Sequence, residues 1–169
     1  MYSDYYNMNN QYYGFGEQNY RISQPQMSNE EIITLNQAIG LIRQSVGNEK
    51  EDEVFYDILI KQAPTEKEKD IIRSIRDDER KHNQILSGLY YEFTGQRLPA
   101  DTLTVETNNN MDYKANLEKA LFGELDAVSK YRKIMGTMPS GNSYTLLMSI
   151  MTDELRHANK YNFLIHNAK

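Results

Sequence analysis

The chain has 169 residues, the length of one domain able to bury an ordinary core, and Asp and Glu outnumber Lys and Arg by 24 to 19 for a formal charge of -5. That balance, with no basic run, argues against a nucleic-acid partner or an anionic membrane surface, and the lack of any long apolar stretch or secretory pattern makes the cytoplasm the expected address. Cysteine is absent, which excludes disulfides, thiolate nucleophiles, zinc ribbons and iron-sulfur clusters, so any metal must be held by oxygen and imidazole nitrogen.

Residues 1–28 hold 6 of the 13 tyrosines among abundant Asn and Gln, with almost no aliphatic side chains. Such a segment cannot pack a core, and it reads as a low-complexity flexible tail. It is either a passive arm or a surface for self-association through tyrosine. The texture changes at residue 29, where a helical domain is expected to run to residue 169.

Four helical stretches follow. The first runs from about Asn29 to Ala63, with Ile32, Leu35, Ile39, Ile42, Val46, Glu49, Glu53, Tyr56, Ile60 and Ala63 on one face. Gly40 and Gly47 weaken it locally and predict a bend or a break into two pieces. The second runs from about Thr65 to Phe93, opened by a Thr65/Glu68 capping box and stopped by Gly95, with Ile72, Ile75, Glu79, His82, Leu86, Leu89 and Phe93 on its stripe. The third, from about Asp112 to Met135, carries Leu117, Ala120, Glu124, Ala127, Tyr131 and Met135. The fourth, from about Asn142 to His166, carries Leu147, Ile150, Glu154, His157, Tyr161 and Leu164.

Short links make the first and second stretches, and the third and fourth, antiparallel hairpins. Between the hairpins lies TGQRLPADTLTVETNNNM, which when extended reaches roughly 55 Å, more than the roughly 42 Å length of a 28-residue helix. It can cross the whole bundle. The predicted fold is therefore all-α, a four-helix bundle of two antiparallel hairpins joined by a long crossover.

Each apolar stripe turns polar at its middle, and the polar positions repeat. Glu49 and Glu124, Tyr56 and Tyr131, Asp78 and Asp153, Glu79 and Glu154, and His82 and His157 are each 75 residues apart. The two halves are an internal repeat. Glu-x-x-His spacing is just under one helical turn, so Glu79 with His82, and Glu154 with His157, project side by side. With Glu49 and Glu124 they bring four carboxylates and two imidazoles to the bundle interior. Four buried carboxylates carry about -4, a charge that costs too much to leave unpaired, and two divalent cations bring the sum to zero. Oxygen and imidazole donors suit iron or manganese, and affinity alone does not exclude zinc or copper. His166 lies about 180° round its helix from His157 and should face solvent.

Asp78 and Asp153, one residue before each ligand Glu, are candidate acceptors for the imidazole N–H of the opposite motif, against the alternative of a solvated helix face. Tyr56 and Tyr131 are candidate hydrogen-bond donors to ligand carboxylates, against plain aromatic packing.

At these residues the chain resembles the ferritin-like superfamily, and within it the rubrerythrin-like proteins. The segment Glu49 to Ala63, with its Tyr56 and its final Gln62-Ala63, is similar to the rubrerythrin first helix. Asp78-Glu79-Arg80-Lys81-His82 and Asp153-Glu154-Leu155-Arg156-His157 match the second motif of each half, and the resemblance covers roughly residues 30–166. It implies two iron ions, with manganese as the alternative, held by Glu49, Glu79, His82, Glu124, Glu154 and His157, with Glu79 and Glu154 bridging. It implies a dimetal oxidoreductase that reduces peroxide or dioxygen, or acts as a ferroxidase, with Tyr56 and Tyr131 as proton donors. A homodimer is expected, and Tyr90, Tyr91 and Phe93 are offered as its exposed face. Two departures matter. Without cysteine there is no second iron domain, so electrons must come from an external donor. The extra glutamate that rubrerythrins carry one turn after the third-helix ligand is replaced by Ala127, leaving Asp52 or Glu53 as candidates for a seventh carboxylate. The alternative function is a structural or coat-type assembly protein, stabilised by its metals and displaying the Tyr-rich tail.

Overall fold

The computed structural model describes residues 32–47, 49–98 and 111–168, with the side chains of 49–52 excepted. The tail at 1–28, Glu49 as a ligand, Asp52 as a seventh carboxylate and most of the crossover lie outside what is described. Five helices are seen among the described residues: α1 (Leu35–Gly47), α2 (Glu49–Gln62), α3 (Glu66–Thr94), α4 (Tyr113–Met135) and α5 (Asn142–Asn167). None is long and apolar enough to cross a membrane.

The first expected stretch is two helices, separated after Gly47, a residue whose backbone entropy makes it a poor helix interior. It also starts later than its periodicity predicts. The Thr34 hydroxyl accepts from the Gln37 N–H at 3.3 Å, and the Gln37 side chain accepts from the Thr34 N–H at 2.8 Å. This reciprocal box begins α1 at Leu35 and leaves Ile32 outside the helix and exposed, not on the inner face. At the head of α3, the Thr65 hydroxyl caps Glu68 N–H at 3.2 Å as expected. The buried Glu68 carboxylate then accepts from the Tyr113 hydroxyl at 2.8 Å, which fastens the start of α4 to the start of α3. Gly95 closes α3 in the left-handed region at φ 67, a conformation that costs glycine least, and its N–H reaches Tyr91 O.

Packing fixes the directions of the helices. At one end Ala38 and Ile42 of α1 meet Leu86, Leu89 and Tyr90 of α3, Tyr131, Ile134 and Met135 of α4, and Leu147 and Ile150 of α5. At the other end Tyr56, Leu59 and Ala63 of α2 meet Ile72 and Ile75 of α3, Leu117 and Ala120 of α4, and Tyr161 and Leu164 of α5. The α1–α2 pair is therefore antiparallel to α3, α4 is antiparallel to α5, and α3 and α4 run parallel. This is the predicted hairpin topology, with α3 ending and α4 beginning at opposite ends of the bundle. Tyr90 is buried in the first cluster, which corrects its place in an exposed face; Tyr91 is exposed and Phe93 is half-buried.

Each fully buried Leu or Ile contributes on the order of 1.5–3 kcal/mol. Truncating Leu147→Ala, in a cluster contributed by all four bundle positions, is expected to cost about 2–5 kcal/mol, and Thr65→Ala about 1 kcal/mol. Urea unfolding of the two variants beside the parent measures both, and equal losses would contradict the packing described.

Candidate metal centre

Between the two apolar clusters lies a polar layer. His157 is 0% exposed, Glu154 1%, His82 3% and Glu124 7%, and Glu79 is half-buried. One ligand atom each from Glu79, Glu124, Glu154 and His157 lie within 4.8 Å of one another. His82 joins them through Nδ1, 3.5 Å from Glu79 and 3.4 Å from Glu154. His157 Nδ1 lies 3.0 Å from Glu79, 3.7 Å from Glu124 and 3.6 Å from Glu154. The imidazole centroids are 5.7 Å apart. Glu79 and Glu154 thus each stand beside both imidazoles, the placement a bridging carboxylate requires. Five of the six expected donors come together, and the sixth, Glu49, lies outside the described side chains.

Both rings turn Nδ1 inward because their other nitrogen is held from behind. His82 Nε2 faces Asp153 Oδ2 at 3.3 Å, and His157 Nε2 faces Asp78 Oδ2 at 3.4 Å. Each aspartate serves the imidazole of the opposite motif, as the repeat predicts, and an Nε2–H donor leaves Nδ1 as the lone-pair nitrogen of the neutral ring. Burial pushes the Asp78 carboxyl up, but bonds from Lys81, His157 and Arg156 outweigh it and hold the group at about 2, so the acceptor is ionised.

The interior electrostatics call for cations. Burial pulls the His82 imidazole down, yet Glu154 and Glu79 together raise it to about 10. His157 is pulled down in the same way and raised to about 11 by Glu124, Glu154 and Glu79. Burial drives Glu124 up to about 9, with Glu154 and Glu79 adding repulsion, whereas the two imidazoles hold Glu154 well below the usual carboxylate range. Without a metal, the layer balances its charge with protons on both rings and on Glu124. Glu79 Oε1, Glu154 Oε2 and both Nδ1 atoms are nevertheless buried and, though as close as 3.0 Å to one another, make no hydrogen bond of good geometry. Four unsatisfied donor atoms around one point fit a metal pair, because coordination would satisfy all of them and replace the protons.

A cleft of about 360 Å³ opens on the layer beside α2 and α4, lined by Glu79, His82, Glu124 and Glu154, with Tyr56 and Tyr131 in its walls. The tyrosines belong to opposite apolar clusters and so flank the layer from its two ends. Glu53, one of the two candidates for a seventh carboxylate, also lines the cleft, with its carboxylate 2.8 Å from Arg80. His166 is exposed, as expected. Tyr161 was expected only as core. Its hydroxyl is fully buried, and burial and the charge of Glu124 raise it well above its ordinary value, against the opposing effect of Tyr56. Its place four residues after His157, one helical turn away, was the signal in the sequence.

A family model described as a ferritin-like domain matches residues 7–167. Comparison with curated proteins and with solved structures gives no match.

Because His82 and His157 keep protons that the unfolded chain releases above about 6.5, the stability they contribute is complete below that pH and is lost as pH rises towards 10 and 11. Glu124 acts in the same direction between 4.5 and about 9, while Glu154 and Asp78, held low, do not vary over this interval. The melting temperature of chelator-treated protein should therefore fall between about pH 6.5 and 9, and metal should remove that fall by displacing the protons. A chelated sample that gains stability over the interval contradicts the charge balance.

Proposed function

The chain belongs to the ferritin-like domain family, and from that premise we propose that it is a rubrerythrin-like dimetal oxidoreductase, with iron in the centre, that reduces peroxide or dioxygen. The observation that carries the reading is the set of four buried, unpartnered Glu and imidazole atoms gathered in one layer. Glu79, His82, Glu124, Glu154 and His157, with Glu49, are the proposed ligands. When bound, two ferrous ions supply one electron each.

The chain's own residues do the rest. Asp78 and Asp153 hold the imidazole tautomer that presents Nδ1. Glu79 and Glu154 stand between the rings as the proposed bridges. The apolar clusters on either side keep the layer dry, which strengthens every charge interaction within it. The cleft admits a small substrate to the face lined by Glu124 and Glu154, and Tyr56 and Tyr131, which line it, are the proposed proton donors. With no cysteine in the chain, the reductant is an external donor. The reading extends to a cytoplasmic homodimer.

Protein purified without chelators is expected to carry two equivalents of iron and to consume peroxide, with ultraviolet-visible absorption changing on peroxide addition. The double variant Glu79→Ala, Glu154→Ala should lose metal and peroxide consumption together while remaining helical by circular dichroism. Deleting residues 1–28 should leave peroxide consumption unchanged. A chain that neither holds nor takes up metal would refute the proposal, and loss of self-association without any catalytic activity in the parent would favour the assembly role instead.

A further inference from the structure

The side of the layer opposite the cleft, on the seam between α3 and α5, is closed by one guanidinium. A single terminal nitrogen of Arg156 lies 2.9 Å from Asp78 Oδ2 and 3.0 Å from Asp153 Oδ1. These are the two carboxylates that hold His157 and His82 by their Nε2 atoms. Asp78 comes from α3 and Asp153 from α5, so each imidazole of one helix is anchored on the other, and Arg156 ties the two anchors together. Among the lining residues of the cleft Arg156 does not appear, so it stands off the substrate path.

The internal repeat isolates the role of this side chain. The position equivalent to Arg156 in the first half is Lys81, 75 residues earlier. Lys81 reaches Asp78 Oδ1 at 2.9 Å, and its side chain is 69% exposed. One half of the repeat therefore has an ammonium ion-paired with the aspartate of its own helix, and the other has a guanidinium that spans both aspartates. Asp78 and Asp153 are 17% and 25% exposed. Two ionised carboxylates this close would repel and could each turn to water, releasing the ring behind them. A planar, permanently charged donor between them cancels the repulsion and sets their separation.

We propose that Arg156 is a positioning residue for the metal centre: by bridging Asp78 and Asp153 it holds both imidazoles, with Nδ1 inward, as one unit. The proposal rests on the metal-centre reading for its consequence, but not for its geometry. Loss of Arg156 should loosen both rings together, whereas loss of Lys81 should not.

The test uses the full-length chain with two readouts. In metal-free protein labelled with ¹⁵N-histidine, His82 and His157 should show Nε2–H protons protected from solvent exchange, with exposed His166 as the unprotected reference. Arg156→Gln should remove both protections at once, and Lys81→Gln should keep them. With cobalt(II) as probe, Arg156→Gln should weaken binding by about 10- to 100-fold and change the visible absorption of the loaded protein. Arg156→Lys should recover only part of this, and Lys81→Gln should shift affinity by no more than about threefold. Protected protons that persist in Arg156→Gln, cobalt affinity and spectrum like the parent's, full recovery in Arg156→Lys, or equal damage from Lys81→Gln would each overturn the proposal. Should Arg156→Gln lose its helical circular dichroism, Arg156→Lys carries both readouts. A parent chain that shows the protected protons but takes up no cobalt counts against the metal centre and leaves the clamp supported.

Discussion

The molecule is organised around a charge that it has no inexpensive way to bury. Glu124 and Glu154 are almost wholly removed from solvent, with apolar side chains packed above and below them. An isolated carboxylate in such a place would take up a proton. Instead the layer contains two imidazoles, each within reach of at least two carboxylates, and the equilibrium becomes one of shared cations. Protons on the rings fill that role imperfectly, since they leave Nδ1 and two glutamate oxygens without a hydrogen-bond partner of good geometry. Metal ions would fill it through directional bonds to the same atoms. The apolar ends of the bundle provide stability, and the middle layer gives up part of it to gather charge in one place.

Duplication explains why such a layer can be built at all. Each half presents one Glu-x-x-His face and one aspartate just outside it, and neither half satisfies its own histidine. His82 depends on Asp153 and His157 on Asp78, so the halves are bound together by their sites as well as by their cores. The halves have also diverged. Where the first has Leu86 the second has Tyr161, a buried hydroxyl beside the charged layer; where the first has Lys81 the second has Arg156. The first of these differences lies in the buried core and the second on the seam between α3 and α5, which Arg156 bridges, while the side towards α2 and α4 stays open.

Much of this could be read in the sequence because both helical periodicity and the repeat are geometric rules. From Ile72 to Leu89, and from Leu117 to Leu164, the predicted stripes fall on the buried face, and the spacing of the motifs puts Glu and His on one turn. The cross-pairing of aspartate and histidine followed from their symmetrical positions. The failures occurred where a local competitor defeats periodicity. The Thr34–Gln37 box stops the first stripe from reaching back to Ile32. Glu53 pairs with Arg80 of a different helix, a contact no single-helix pattern contains. Tyr90 and Tyr91 are adjacent, yet only Tyr90 is buried, in a cluster to which α1, α4 and α5 also contribute and which no pattern within α3 contains. Arg156 escaped for the same reason: its significance lies in what it spans, and two of its partners are on different helices.

The cleft bears on what the centre admits. Its cationic side chains are largely committed elsewhere among the described residues. Arg76 pairs with Asp77 at 3.2 Å and Arg80 with Glu53 at 2.8 Å, while Lys119 and Lys130 lie over the rings of Phe55 and Tyr131 at 5.2 and 4.8 Å. A rim neutralised in this way exerts little long-range pull on an anion, since opposite charges side by side cancel within a screening length. A small neutral molecule loses least on entering such a site, whose walls mix apolar side chains with paired charges. The rim therefore favours a small neutral molecule over a charged one.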